Sequence, residues 1–386
     1  MRVMSVLVAL VLFSTAPASS QSVSAPNWEA LGRKVVRQLR LRPGEKVITV
    51  AHPGLFEEIL PHLRYEVMKA GGIDLGVLDV LGRPTPSSWD PEILQNALRP
   101  ARAAFQFVLL TIDAAVMLPG TTPAHPAYGA MQDIHREGRA RSAHLHWTEE
   151  SAIPVPGHAI PGGEVMLAAY QRALLHSNCD AIGEVQRRFS AAMRRGEVRV
   201  TSPAGTDLRF RIGNRPVICQ DGDASMARAR SGATLIDREI ELPCGAVRVA
   251  PVEESVEGTI VIPVSQWGGR SVEGLRLRFE KGRIVEVVAS SGRDAVEADL
   301  ARAGETGRGL REFALGFNPE LAVPESSPWI PYFGYGAGVI RLSIGDNADL
   351  GGRLTGGYVK ASFSTDGRVI VGDQEWVRDG KLLDPR

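Results

Sequence analysis

The chain has 386 residues, 44 Lys+Arg against 44 Asp+Glu, 44% hydrophobic and 23% charged residues. That composition buries a sizeable core, and the length exceeds the usual span of a single one, so two domains are expected and wholesale disorder is excluded. Zero formal charge gives no basic surplus for nucleic acid or an anionic membrane, and three cysteines without paired short spacings make neither a zinc ribbon nor a disulfide scaffold.

Residues 1–20 read as a signal peptide. Arg2 supplies a positive start, residues 3–13 (VMSVLVALVLF) form an uncharged apolar run too short to span a bilayer, and the small residues of Ala16-Pro17-Ala18 and Ala18-Ser19-Ser20 suit cleavage. The expected localisation is secreted or periplasmic, with no membrane segment in the mature form. An N-terminal strand of the fold is the lesser alternative.

Residues 27–40 space Trp28, Leu31, Val35, Val36 and Leu39 on one helical face, and Arg42-Pro43-Gly44-Glu45 stops it. Strands are then expected at Lys46–Ala51, Asp74–Val80 and Phe105–Thr111, with helices at Leu55–Ala70 and Pro91–Leu98 between them. Helical stretches between strands indicate a parallel, doubly wound sheet. Two further helices are expected at about 163–176 and 181–195.

From Val198 the period changes to that of strands. VRVTSPAGTDLRFRI reads as a hairpin about a Pro-Ala-Gly turn, and Thr259–Val264, Leu275–Phe279, Ile284–Ala289, Ala337–Ile344 and Arg368–Val371 continue as short strands, with one helix near 293–303. The expected fold class is an α/β N-terminal domain over 21–195, with a mainly parallel doubly wound sheet, followed by a β-rich α+β domain over 196–386.

The familiar chemical signatures are missing. No G-x-G-x-x-G or Walker loop follows the first strand, and neither G-x-S-x-G nor H-E-x-x-H occurs. His52 falls at the C-terminal end of the first strand, where open α/β sheets bind ligands. His144 and His146, two residues apart, point the same way on a strand and could bind a metal with Glu149, Glu150 or His158. A surface or edge-strand pair is the blander reading of the same spacing, and the favoured one. Cys219 and Cys244 flank a strand-rich stretch and are the expected disulfide in an oxidising compartment, with three buried thiols as the alternative.

The segments VRVTSPAGTDLRFRIGNR (198–215), ELPCGAVRVAPVEESVEGTIVIP (241–263), REFALGFNP (311–319) and the closing QEWVRDGKL resemble, in this order, the thermophilic metallo-aminopeptidase family that includes aminopeptidases T and S. The resemblance implies that fold, a homodimer with clefts enclosed between subunits, and removal of N-terminal amino acids by two divalent metal ions such as zinc or cobalt. The positions matching the family's metal ligands read Ala246 for a glutamate, Glu312 conserved in kind, Arg341 for a histidine, and Val359 and Ala361 for an H-x-D pair.

One glutamate with an arginine in a histidine slot leaves no donor set for two dications, so no metal cofactor is expected there. Glu312 and Arg341 become cleft candidates, expected to pair, with no catalytic residue assigned. The resulting expectation is a divergent homologue whose cleft takes a peptide or another small ligand. Two alternatives remain open: an active metallo-aminopeptidase with ligands relocated to His144, His146 and nearby carboxylates, or a relative of the ring-cleaving dihydroxypyridine dioxygenase, which looks similar in fold.

Overall fold

The computed structural model describes residues 25–79, 88, 90–122 and 125–384; the signal peptide expected at 1–20 lies outside the described residues. The first helix, α1 (Trp28–Leu39), is capped by Asn27, whose side chain accepts from the Ala30 amide at 3.0 Å. It buries Leu31, Val35 and Leu39 at four-residue spacing.

The elements that follow are β1 (Lys46–Ala51), α2 (Leu60–Lys69), β2 (Ile73–Asp79), α3 (Pro91–Leu109), β3 (Ala114–Met117), α4 (Pro126–Arg136), β4 (Ser142–His144), β5 (Ile153–Pro154), α5 (Gly163–His176) and α6 (Cys179–Arg195). Strands β1 to β4 are parallel in the order β2-β1-β3-β4. Alternate residues of β1 and β3 face opposite layers. Val47, Ala51, Ala114 and Val116 pack with α1, α2 and α5, whereas Ile48, Val50, Ala115 and Met117 pack with α3 and α4. The sheet is therefore covered on both faces, as a doubly wound sheet requires.

One sequence expectation fails here. Phe105–Thr111 is not a strand but, through Leu109, the last turns of α3, and the strand lies downstream at Ala114–Met117. The cause is amphipathicity within an apolar run: Leu109 is buried, while Phe107 is 77% exposed.

The second half contributes β6 (Val198–Thr201), β7 (Asp207–Phe210), β8 (Val217–Gln220), α7 (Met226–Ser231), β9 (Glu239–Glu241), β10 (Ala246–Val249), β11 (Glu257–Trp267), β12 (Arg270–Glu280), β13 (Arg283–Val288) and α8 (Arg293–Gly307). It continues with β14 (Leu310–Gly316), β15 (Trp329–Ile330), β16 (Ile340–Gly345), β17 (Val359–Ser364), β18 (Arg368–Val371), β19 (Gln374–Arg378) and β20 (Lys381–Leu382). The hairpin expected at 198–210 is present as β6 and β7.

Two antiparallel sheets result, one of eight strands and one of five in the order β17-β16-β14-β10-β8. They enclose a core of Val200, Phe210, Val247, Phe313, Leu315, Leu342 and Leu275, against which α6 lays Phe189. Strand β9 departs from this half. It pairs in parallel with β4 and completes the first sheet, so the chain crosses between the two units before entering β10.

A disulfide joins Cys179 at the start of α6 to Cys244 beside β10, with Cα atoms 6.1 Å apart. The Cys219–Cys244 pairing expected from sequence is therefore incorrect, and Cys219 is a free thiol. Cys219 sits opposite Val247 on β8, across a strand pair, where its partner in register is not a cysteine.

Candidate functional site

The five-stranded sheet turns one face to the core and the other toward the first unit. Register places Ala246 opposite Gly316, Arg248 opposite Ala314, Ala314 opposite Arg341, Glu312 opposite Ser343, Ser343 opposite Ala361 and Gly345 opposite Val359. Directly paired residues share a face, so Ala246, Glu312, Arg341, Val359 and Ala361 all lie on the side away from the core.

Contact among them is narrower than shared orientation. Glu312, 2% exposed, accepts from Arg248 Nε at 2.5 Å and from Arg341 Nη2 at 3.0 Å, with Arg311 Nε at 4.0 Å and Ser343 Oγ at 3.4 Å. The pairing of Arg341 with Glu312 expected from the motif is present. Arg341 also donates to the Phe333 carbonyl at 3.1 Å. Ala246 presents only a buried methyl group. Val359 lines the interdomain cavity, and Ala361 lines a separate, more apolar one.

Electrostatics hold this cluster in one charge state. Burial pushes the Glu312 carboxyl up, but Arg248, Arg341 and Arg311 overcome it and keep the group well below the usual carboxylate range. For Arg248, burial opposes the charge while Glu312, Tyr335 and Glu241 more than restore it. Arg248 Nη1 is 3.7 Å from Glu241, which also accepts from the Tyr335 hydroxyl, and Arg311 forks onto Asp349 at 2.6 and 2.7 Å.

A second polar cluster faces it from the parallel sheet. Ala143, Leu145 and Ile240 point to the layer of α1, α2 and α5, which turns the alternate residues Ser142, His144, His146, Glu239 and Glu241 to the other side. His144 Nδ1 lies 2.8 Å from Glu239 Oε1, and the Tyr128 hydroxyl of α4 donates to the same oxygen at 2.8 Å. The His144 and His146 rings stack with centroids 3.6 Å apart.

Burial lowers His135, His144 and His146 to about 4 each, leaving all three neutral near pH 7. For His144 the Glu241 charge opposes that shift, as does the Thr121 backbone. His135 has both ring nitrogens buried without a hydrogen bond. The surface-pair reading of His144 and His146 is thus incorrect: His144 is fully buried and His146 partly so, because β9 covers the edge that β4 would otherwise present.

Between the clusters lies a cavity of about 900 Å³. Tyr128 and His135 line it from α4, Glu239 and Glu241 from β9, and Arg248 and Arg311 from β10 and β14. Glu149, Glu150 and His158, considered as further ligands, do not line it, and His158 instead borders the apolar cavity. His52 follows β1 and faces the ring of His125 at 6.2 Å between centroids.

Sequence reasoning missed Arg248, Arg311, Glu239 and Glu241. A strand-period count would have found Arg248, two residues beyond Ala246 on the same face. Nothing local marks Glu239 as a neighbour of His144, because 95 residues separate them.

Residues 184–323 match the thermophilic metalloprotease (M29) family. Among solved structures, the chain is similar to 2,5-dihydroxypyridine dioxygenase from Pseudomonas putida KT2440, with TM-score 0.61 and 15% identity over 93% of this chain and 97% of that one. It is also similar to AmpT from Thermus thermophilus, with TM-score 0.57 and 18% identity over 92% of this chain and 99% of that one. At these identities the likeness is one of fold. No curated protein sequence matches the chain.

Proposed function

We propose that this chain, whose residues 184–323 match the thermophilic metalloproteases, keeps a peptidase-like fold but has exchanged the second-domain metal ions for an arginine–carboxylate network. Its cleft then binds a peptide or another small ligand without removing N-terminal residues. One observation carries the reading: Glu312, the only carboxylate at the five family positions, is already paired through Oε1 with the guanidinium groups of Arg248 and Arg341. A methyl group at Ala246, a cation at Arg341 and aliphatic side chains at Val359 and Ala361 supply no lone pairs, and the arginine repels a dication.

The test is hydrolysis of leucyl p-nitroanilide by the purified protein with added cobalt, zinc or manganese. The expected result is no release above background; chelator-sensitive release would overturn the proposal. We propose export as well, supported by the Cys179–Cys244 disulfide, a bond characteristic of oxidising compartments. Intact mass from an exporting host should then give a start between Ser19 and Gln21. A homodimer is the proposed assembly, to be checked by light scattering.

A further inference from the structure

We propose that His144, His146 and Glu239 form a site for a single divalent metal ion, of the two-histidine, one-carboxylate type, at the edge of the parallel sheet. This goes beyond the proposed function, since it involves a different sheet and none of the five family positions. One donor atom from each of the three residues lies within 4.8 Å of the other two.

The spacing of His144 Nδ1 and Glu239 Oε1 carries the argument furthest. They are 2.8 Å apart, with His144 fully buried and Glu239 nearly so. Two lone-pair donors come this close only with a shared proton or a cation between them. Two ligands bonded to one ion at ~2.0–2.1 Å and roughly at right angles have nearly this separation. In the metal-free protein an imidazole proton on Nδ1 would fill that place, and metal binding would move it to Nε2. No proton need leave the protein in the exchange.

The third ligand, His146, is stacked on His144 with the ring planes 38° apart. In-plane lone pairs of stacked rings run side by side, so His146 must turn its ring to converge on the ion. It is the less buried of the two, with the Phe333 ring on its other side at 5.9 Å between centroids. Tyr128, which donates to Glu239, fixes the carboxylate from outside, as partners of metal ligands commonly do.

Glu239 also stands in the wall of the 900 Å³ cavity, which gives an ion a route in and leaves coordination positions open to it. Two imidazoles and a carboxylate suit zinc, cobalt or ferrous iron over calcium or magnesium.

Cobalt(II) added to chelator-treated, dialysed full-length protein is the probe. One ion per chain is expected, with a visible d–d band, and binding in His146→Ala and Glu239→Gln weakened by at least the ~10–100-fold that loss of a mere supporting partner costs. His146→Ala is chosen because the partly buried ring can be removed without opening the centre of the fold, and circular dichroism verifies that it folds. Glu312→Gln should leave cobalt binding unchanged. Failure of the wild-type protein to bind cobalt, or undiminished binding in His146→Ala and Glu239→Gln, overturns this proposal alone. Cobalt lost in Glu312→Gln but kept in the other two variants would overturn it together with the proposed function.

Discussion

Two buried polar clusters face one cavity, and they solve the same electrostatic problem in opposite ways. Around Glu312 the negative charge is neutralised by guanidinium groups built into the sheet. Around Glu239 the hydrogen-bonding neighbours are the imidazole of His144 and the phenol of Tyr128 rather than guanidinium groups. On the proposed reading, the cluster that carries its own cations leaves no place for a metal, whereas the one that offers lone pairs can take one.

The largest effect should come from breaking the first cluster. Glu312→Ala strands Arg248 and Arg341 in a buried site without their shared partner, and the expected loss is about 3–5 kcal/mol, read from denaturant midpoints. A loss below about 1 kcal/mol would mean the arginines find water or other carboxylates. Reduction of Cys179–Cys244 follows. It opens a loop with a separation of 65 residues, and the chain-entropy relation gives about 4 kcal/mol at most. The bond anchors the start of α6 to the start of β10, so the reduced protein should lose thermal stability while cobalt binding at the histidines persists.

Acid should separate the clusters by pH window. The histidines are lowered to about 4 in the folded chain. The unfolded chain therefore binds more protons below pH ~6.5, and stability falls from there down to about 4. The shift corresponds to about 3 kcal/mol for each histidine, and the total is less than the sum because the neighbouring groups do not titrate independently. Glu312, depressed, contributes stability that is present above pH ~4.3 and is lost only as pH falls below that. Urea titrations at intervals from pH 7 to pH 3 should resolve both phases, and a flat profile between 6.5 and 4 would contradict burial of neutral histidines.

The smallest effect is expected for Tyr128→Phe. It removes one donor from Glu239 while leaving His144 in place, for about 1–2 kcal/mol in urea unfolding. An effect near zero would mean that water entering from the cavity replaces the hydroxyl.

Much of this architecture is legible residue by residue. The apolar spacing of Leu31, Val35 and Leu39 specifies α1, the buried run Val47–Ala51 specifies a central parallel strand, and alternation across 198–210 specifies the first hairpin. The resemblance that puts Arg341 and Glu312 at metal-ligand positions was enough to expect their pairing, because a guanidinium there can replace the metal charge beside the remaining carboxylate.

What only the tertiary structure decided are the choices among equivalent local options. The run from Phe105 could be strand or helix, and packing of Leu109 with one exposed flank chose helix. Three cysteines permit three pairings, and the approach of α6 to β10 chose Cys179 with Cys244. Most consequential is β9, whose three residues leave the second half to complete the first sheet. That crossing brings Glu239 to His144 and buries a histidine pair that reads as surface in isolation. Periodicity along the chain encodes which face a side chain takes, but the partner on that face is set by which strands become neighbours. For segments 95 residues apart that is a property of the assembled core alone.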